Sequence, residues 1–122
     1  MGNKDRRFKA RFQAKVKLRL IAQLIGNNQR YQYHTENISA SGLLIHHEGK
    51  KSSTFNSHSI LEVWLEIAEE THVFFLAKYV RKASQHSFAI KIVDIDKKNE
   101  EMYRSFLDHL ATHLDPARIA AR

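Results

Sequence analysis

Val16-Lys17-Leu18-Arg19-Leu20-Ile21-Ala22-Gln23-Leu24 puts an apolar residue at every second position, the signature of a strand with one face turned to a core. Ile60 to Ile67 repeats the pattern, with Leu61, Val63, Leu65 and Ile67 inward and Glu62, Trp64 and Glu66 outward. Between these two segments, Gly26-Asn27-Asn28-Gln29 predicts a hairpin turn, because Gly and Asn tolerate positive φ. Arg30 to Ile38 returns as a strand, Asn37 to Gly42 interrupts it, and Leu43 to His46 resumes it. Glu48 to Ser59 reads as a polar loop.

Beyond Glu69-Glu70, a turn, Thr71 to Lys82 is a longer strand whose run Val73 to Ala77 implies burial on both sides or a bend. Ala83 to His86 turns again, and Ser87 to Ile95 is the sixth strand. The period then changes. Tyr103, Phe106, Leu107, Leu110 and Leu114 recur at helical spacing from about Lys97, with Asp94 or Asp96 as N-cap and Pro116 as terminator. Six strands and one amphipathic helix predict a mainly β fold, a six-stranded antiparallel barrel with a C-terminal helix packed against it.

The chain's 122 residues are enough for one core. Residues 1–13 are expected to form a flexible basic arm, 14–114 the barrel and helix, and 115–122 a tail. Cysteine is absent, which excludes disulfides and thiolate metal sites. The charged N-terminus lacks an apolar segment behind it and no apolar run approaches bilayer length, so a cytoplasmic protein without membrane insertion is expected.

The net charge of +7 is concentrated in one place. Residues 1–19 hold eight basic side chains (Lys4, Arg6, Arg7, Lys9, Arg11, Lys15, Lys17, Arg19) against Asp5, and the remainder is neutral. A basic arm on a neutral body suits a compact anion at least as well as a long polyanion.

Two motifs carry the functional reading. Arg7-Phe8-Lys9-Ala10-Arg11, with Arg6 directly ahead, satisfies RxxxR before the first strand. Asn37-Ile38-Ser39-Ala40-Ser41-Gly42 satisfies (D/N)xSxxG where the second strand meets the third. In these motifs, their order and the predicted elements, roughly residues 5–114 resemble the PilZ domain, the bacterial receptor module for the second messenger cyclic di-GMP.

The resemblance implies that Arg7 and Arg11 contact phosphate and guanine, with Arg6 adding to them. It also implies that Asn37 and Ser39 bond a guanine edge, and that Gly42 stands where a Cβ would obstruct ligand or turn. The chemistry fits, since an Arg fork matches both guanine O6/N7 and phosphate oxygens. An arginine ahead of RxxxR further implies two bound ligand molecules.

Two positions depart from the family pattern. Ala89-Ile90-Lys91-Ile92 replaces Gly-x-x-Phe in the last strand, and Asn37 replaces the commoner aspartate, whose charge would hold a guanine N–H pair more strongly. No cofactor beyond the ligand is implied. A separate downstream protein is, in motility, pilus assembly or exopolysaccharide control, and a monomer or weak dimer is expected.

The same residues admit other readings. A small barrel could bind single-stranded nucleic acid, with Tyr31, Tyr33 and Trp64 as stacking platforms and the arm on phosphates. A family member acting only through protein contacts is a third. His109 and His113 lie four apart on the helix without a third ligand nearby, and His46 and His47 point to opposite strand faces, so no metal centre is expected. An enzyme is not expected either: the chain lacks a Gly-rich phosphate loop and a nucleophile elbow.

Overall fold

The computed structural model describes residues 11–24, 27–47 and 59–113. In chain order the elements are β1 (Phe12–Gln13), β2 (Lys17–Leu24), β3 (Asn27–Ile38), β4 (Gly42–His46), β5 (Ile60–Ala68), β6 (Thr71–Ser84), β7 (Ser87–Asp94) and α1 (Lys97–His113). All pairings are antiparallel, in the order β3-β2-β5-β6-β7-β4, and β4 pairs back onto β3 to close a six-stranded barrel. The expected architecture is the observed one.

The alternation predicts the interior well. Leu18, Leu20 and Ala22 of β2 and Leu61, Val63 and Leu65 of β5 are buried, as are Val73, Phe75 and Ala77 of β6. Phe74 and Leu76, on the other side of β6, are half-buried. Phe74 packs its ring 4.8 Å from that of Trp64, and its amide donates to Asn99 Oδ1 at 2.9 Å. The apolar run at 73–77 is thus covered on both sides, and the register shifts between Leu76 and Ala77.

Helix α1 adds Tyr103, Leu107 and Leu110 to the same core. Its cap is Asp96 rather than Asp94: the Asn99 amide donates to Asp96 Oδ1 at 2.8 Å, satisfying one of the first-turn donors. That bond, a second from the Asn99 side chain and the nearby Lys98 hold the Asp96 carboxyl below the usual carboxylate range.

Two local features differ from expectation, one after β2 and one at the end of the arm. Asn27 already pairs with Leu24, so Asn27 to Gln29 are strand rather than turn. Leu114, expected on the helix, lies outside the described residues, as do 1–10, 48–58 and 115–122. Phe12 and Gln13, expected in the arm, pair with Ile38 and Asn37, and Phe12 is fully buried. Burying a phenylalanine stabilises by about 1.5–3 kcal/mol, enough to fix the end of the arm against β3.

Residues 14–16 are fastened to the same strand. The Ala14 amide donates to the Glu36 carbonyl at 3.3 Å and the Thr35 amide to the Val16 carbonyl at 2.9 Å. The buried Thr35 hydroxyl accepts from the Val16 amide and donates to the Ala14 carbonyl. Opposite this attachment, β3 bulges against β4 between Thr35 and Asn37.

Candidate functional site

The anchoring of Phe12 explains how Arg11, the last residue of the first motif, comes beside the second. Phe12 stands opposite Ile38, so the next residue back, Arg11, falls level with Ser39. Because strand side chains alternate, a buried Phe12 turns Arg11 outward, and Arg11 is exposed. Arg11, Asn37, Ser39, Ser41 and Gly42 line one cavity of about 430 Å³, whose far wall comes from β6 and β7.

The loop between β3 and β4 is closed by its own bonds. The Ser39 amide donates to the Gly42 carbonyl at 3.0 Å, and the Ser39 hydroxyl donates to the same oxygen at 3.2 Å. Its two outward carbonyls are taken by distant elements: the Tyr103 hydroxyl of α1 donates to Ser39 O at 2.5 Å, and the Ile92 amide of β7 to Ser41 O at 2.9 Å. Burial pushes the Tyr103 phenol up, so it stays a donor. Ser39 is therefore held through its amide, its hydroxyl and its carbonyl before any ligand arrives.

Asn37 lines the cavity, and its Oδ1 is buried without a hydrogen-bond partner among the described residues. A buried amide oxygen without a partner is costly, about 1–3 kcal/mol, and a donor supplied from the cavity would relieve it. Guanine N1–H and N2–H₂ are donors of that kind.

Gly42 acts on the backbone. A Cβ built there would lie 2.3 Å from the Ile90 carbonyl oxygen and 3.3 Å from Lys91 Cα, both of the paired strand β7. No left-handed φ is involved. The absence of a side chain lets β4 and β7 close at the floor of the cavity.

Three cavity residues were not singled out by the motifs. Arg81 and Lys91 add two cations, and Ser41 adds a hydroxyl 3.5 Å from that of Ser39. Lys91 belongs to the segment Ala89-Ile90-Lys91-Ile92, whose first three residues all line the cavity. Arg81 is carried there by the register shift between Tyr79 and Arg81, which no local sequence pattern announces. Arg6 and Arg7 lie outside the described residues.

No group of three or more His, Asp or Glu suited to a metal ion occurs among the described residues. His46 Nδ1 is 2.8 Å from Glu36 Oε2 and its ring stacks on His34 at 4.9 Å, whereas His47 is buried between Tyr33 and Phe88. Burial, and then the charges of His86, His46 and Lys82, lower the His47 pKa.

The model of the PilZ domain matches residues 5–109. The chain belongs to the PilZ domain family. PilZ domains are a cyclic di-GMP receptor family, binding modules rather than enzymes. The PilZ chain is similar to the crystal structure of the PilZ domain of CeSA from a cellulose-synthesizing bacterium, with 13% identity and TM-score 0.62, over 83% of this chain and 97% of that one. It is also similar to the Bacillus subtilis inhibitor of motility (MotI/DgrA), with 17% identity and TM-score 0.63, over 84% of this chain. That second match spans about half of the Bacillus protein, 48%. At these identities the likeness is one of fold. No curated protein matches the chain, and no helix among the described residues is long and apolar enough to cross a membrane.

Proposed function

We propose that this PilZ domain binds cyclic di-GMP in the 430 Å³ cavity and passes the signal to a separate protein in the cytoplasm. The observation that carries the reading is the convergence of Arg11 with Asn37, Ser39 and Gly42 on a single cavity, although 25 residues of chain lie between Arg11 and Asn37. Arg11 grips phosphate or the guanine O6/N7 edge, Asn37 Oδ1 accepts from guanine N–H groups, and the Ser39 hydroxyl completes the edge. Arg81 and Lys91 reinforce the phosphate side. Arg6 and Arg7 close from the arm, and ordering of the arm is the signal the partner reads. Motility, pilus assembly and exopolysaccharide control are the settings in which such a relay operates, and the likeness to an inhibitor of motility supports the first.

Calorimetric titration of cyclic di-GMP into wild type and Arg11→Ala tests this. Saturable binding is expected, weakened in Arg11→Ala by about 1–3 kcal/mol, roughly 5- to 150-fold. With Arg6 ahead of the motif, two dinucleotides per chain are expected, and a stoichiometry near one refutes that part. Equal affinity in the two proteins removes Arg11 from the site, and absence of any saturable heat removes the function.

A further inference from the structure

We propose that the outer face of β2, β3 and β5 carries a second, separate site, for single-stranded nucleic acid. A cleft of about 740 Å³ opens there and shares no residue with the dinucleotide cavity. Lys15, Lys17 and Arg19 line it from alternate positions of one chain segment, so their charges recur about every 6–7 Å. That repeat is comparable to the spacing of phosphates along an extended single strand. None of the three forms an ion pair among the described residues. Among the described residues lining the cleft, Glu66 alone bears a carboxylate, so that wall is net cationic.

Flat groups stand beside the charges. Arg19 lies directly opposite Trp64, with its guanidinium carbon 5.1 Å from the ring centroid, while Phe74 supports the indole from the neighbouring strand. On the other side, Lys17 pairs with His34 and Arg19 with Gln32. His34 stacks on His46, which also lines the cleft. The arrangement is one row of cations flanked by an indole, imidazoles and an amide. It fits a strand whose phosphates follow β2 while its bases stack on Trp64 and bond Gln32 or His34. An acidic peptide would match the charges and leave the flat groups without a counterpart.

Trp64 is the chain's single tryptophan, so its fluorescence reports this cleft. Titrating a short oligothymidylate into the wild-type chain should quench Trp64 saturably. Three phosphate contacts give a log–log salt slope of about −2, a loss of about 20-fold in affinity from 50 to 200 mM salt. The double variant Lys15→Ala/Lys17→Ala should bind at least tenfold more weakly with a slope near −0.7, while its affinity for cyclic di-GMP stays at the wild-type value. Arg11→Ala should show the reverse, which separates failure of this site from failure of the nucleotide-receptor reading.

The proposal is overturned if the oligonucleotide leaves Trp64 unquenched, or if the double variant binds it as tightly as wild type. It is equally overturned if poly-glutamate quenches as well as the oligonucleotide does, or if cyclic di-GMP displaces the oligonucleotide competitively.

Discussion

Replacing Gly42 with alanine separates two roles that one glycine can play in this site. Ordinary contact to a Cβ begins at 3.4 Å, whereas the added carbon would lie 2.3 Å from Ile90 O, so β4 and β7 must part by about 1 Å. The obstructing atom is backbone in a closed barrel and cannot swing aside as a side chain would. Overpacking of this kind costs about 1–3 kcal/mol. Parting the strands also stretches the neighbouring bond from the Ile92 amide to Ser41 O, worth about 0.5–1.5 kcal/mol. A total of about 2–4 kcal/mol follows. With a urea m-value of about 2 kcal/mol/M, the unfolding midpoint should fall by about 1–2 M with m unchanged. Trp64 fluorescence and circular dichroism should give coincident transitions. A midpoint equal to wild type would refute the reasoning. A variant that kept full stability yet lost cyclic di-GMP binding would assign Gly42 to ligand clearance instead of strand approach.

Two further outcomes follow from the same loop and helix. Tyr103→Phe removes the hydroxyl that occupies Ser39 O and leaves a buried acceptor unsatisfied, so urea unfolding should show a loss of about 1–2 kcal/mol, and calorimetry weaker dinucleotide binding because Ser39 is no longer fixed; an unchanged midpoint would mean water replaces the phenol. Asp96→Ala should destabilise α1 at neutral pH. The folded carboxyl has its pKa lowered by its bonds to Asn99, so its contribution is full above the ordinary value of 3.8 and disappears as pH falls through the lowered one. The gap between wild type and variant, followed by thermal unfolding, should therefore close on acidification, and a gap that persists in strong acid would contradict the cap.

Most of the barrel was legible because its strands are half-buried. A period of two in Val16 to Leu24 and in Ile60 to Ile67 carries enough apolar contrast to fix which face is inside, and the helix announces itself when the period becomes 3.6. Phe12 and Gln13 escaped the reading because a two-residue strand has no period, and what places Phe12 is a core assembled from distant strands. Arg81 and Lys91 escaped for a related reason. Their facing depends on where β6 slips against β7, a property of the pair rather than of either strand. The polar motif residues could be read as belonging together only through the family resemblance, since Asn37 and Ser39 viewed singly are ordinary turn formers at a strand break. The spacing of Lys15, Lys17 and Arg19 was visible, but its alignment with Trp64 required the pairing of β2 with β5.

Because β3 and β4 complete the ring, each of β2 to β7 has, among the described residues, a neighbour on both sides over part of its length. Backbone donors and acceptors along the doubly paired part of the wall are consequently spent within the molecule, whereas Asn27 to Tyr33 of β3 pair with β2 alone. Another chain could lend the sheet a strand only at such one-sided stretches. Elsewhere along the wall, recognition has to go through side chains, by their shape and charge around the rim.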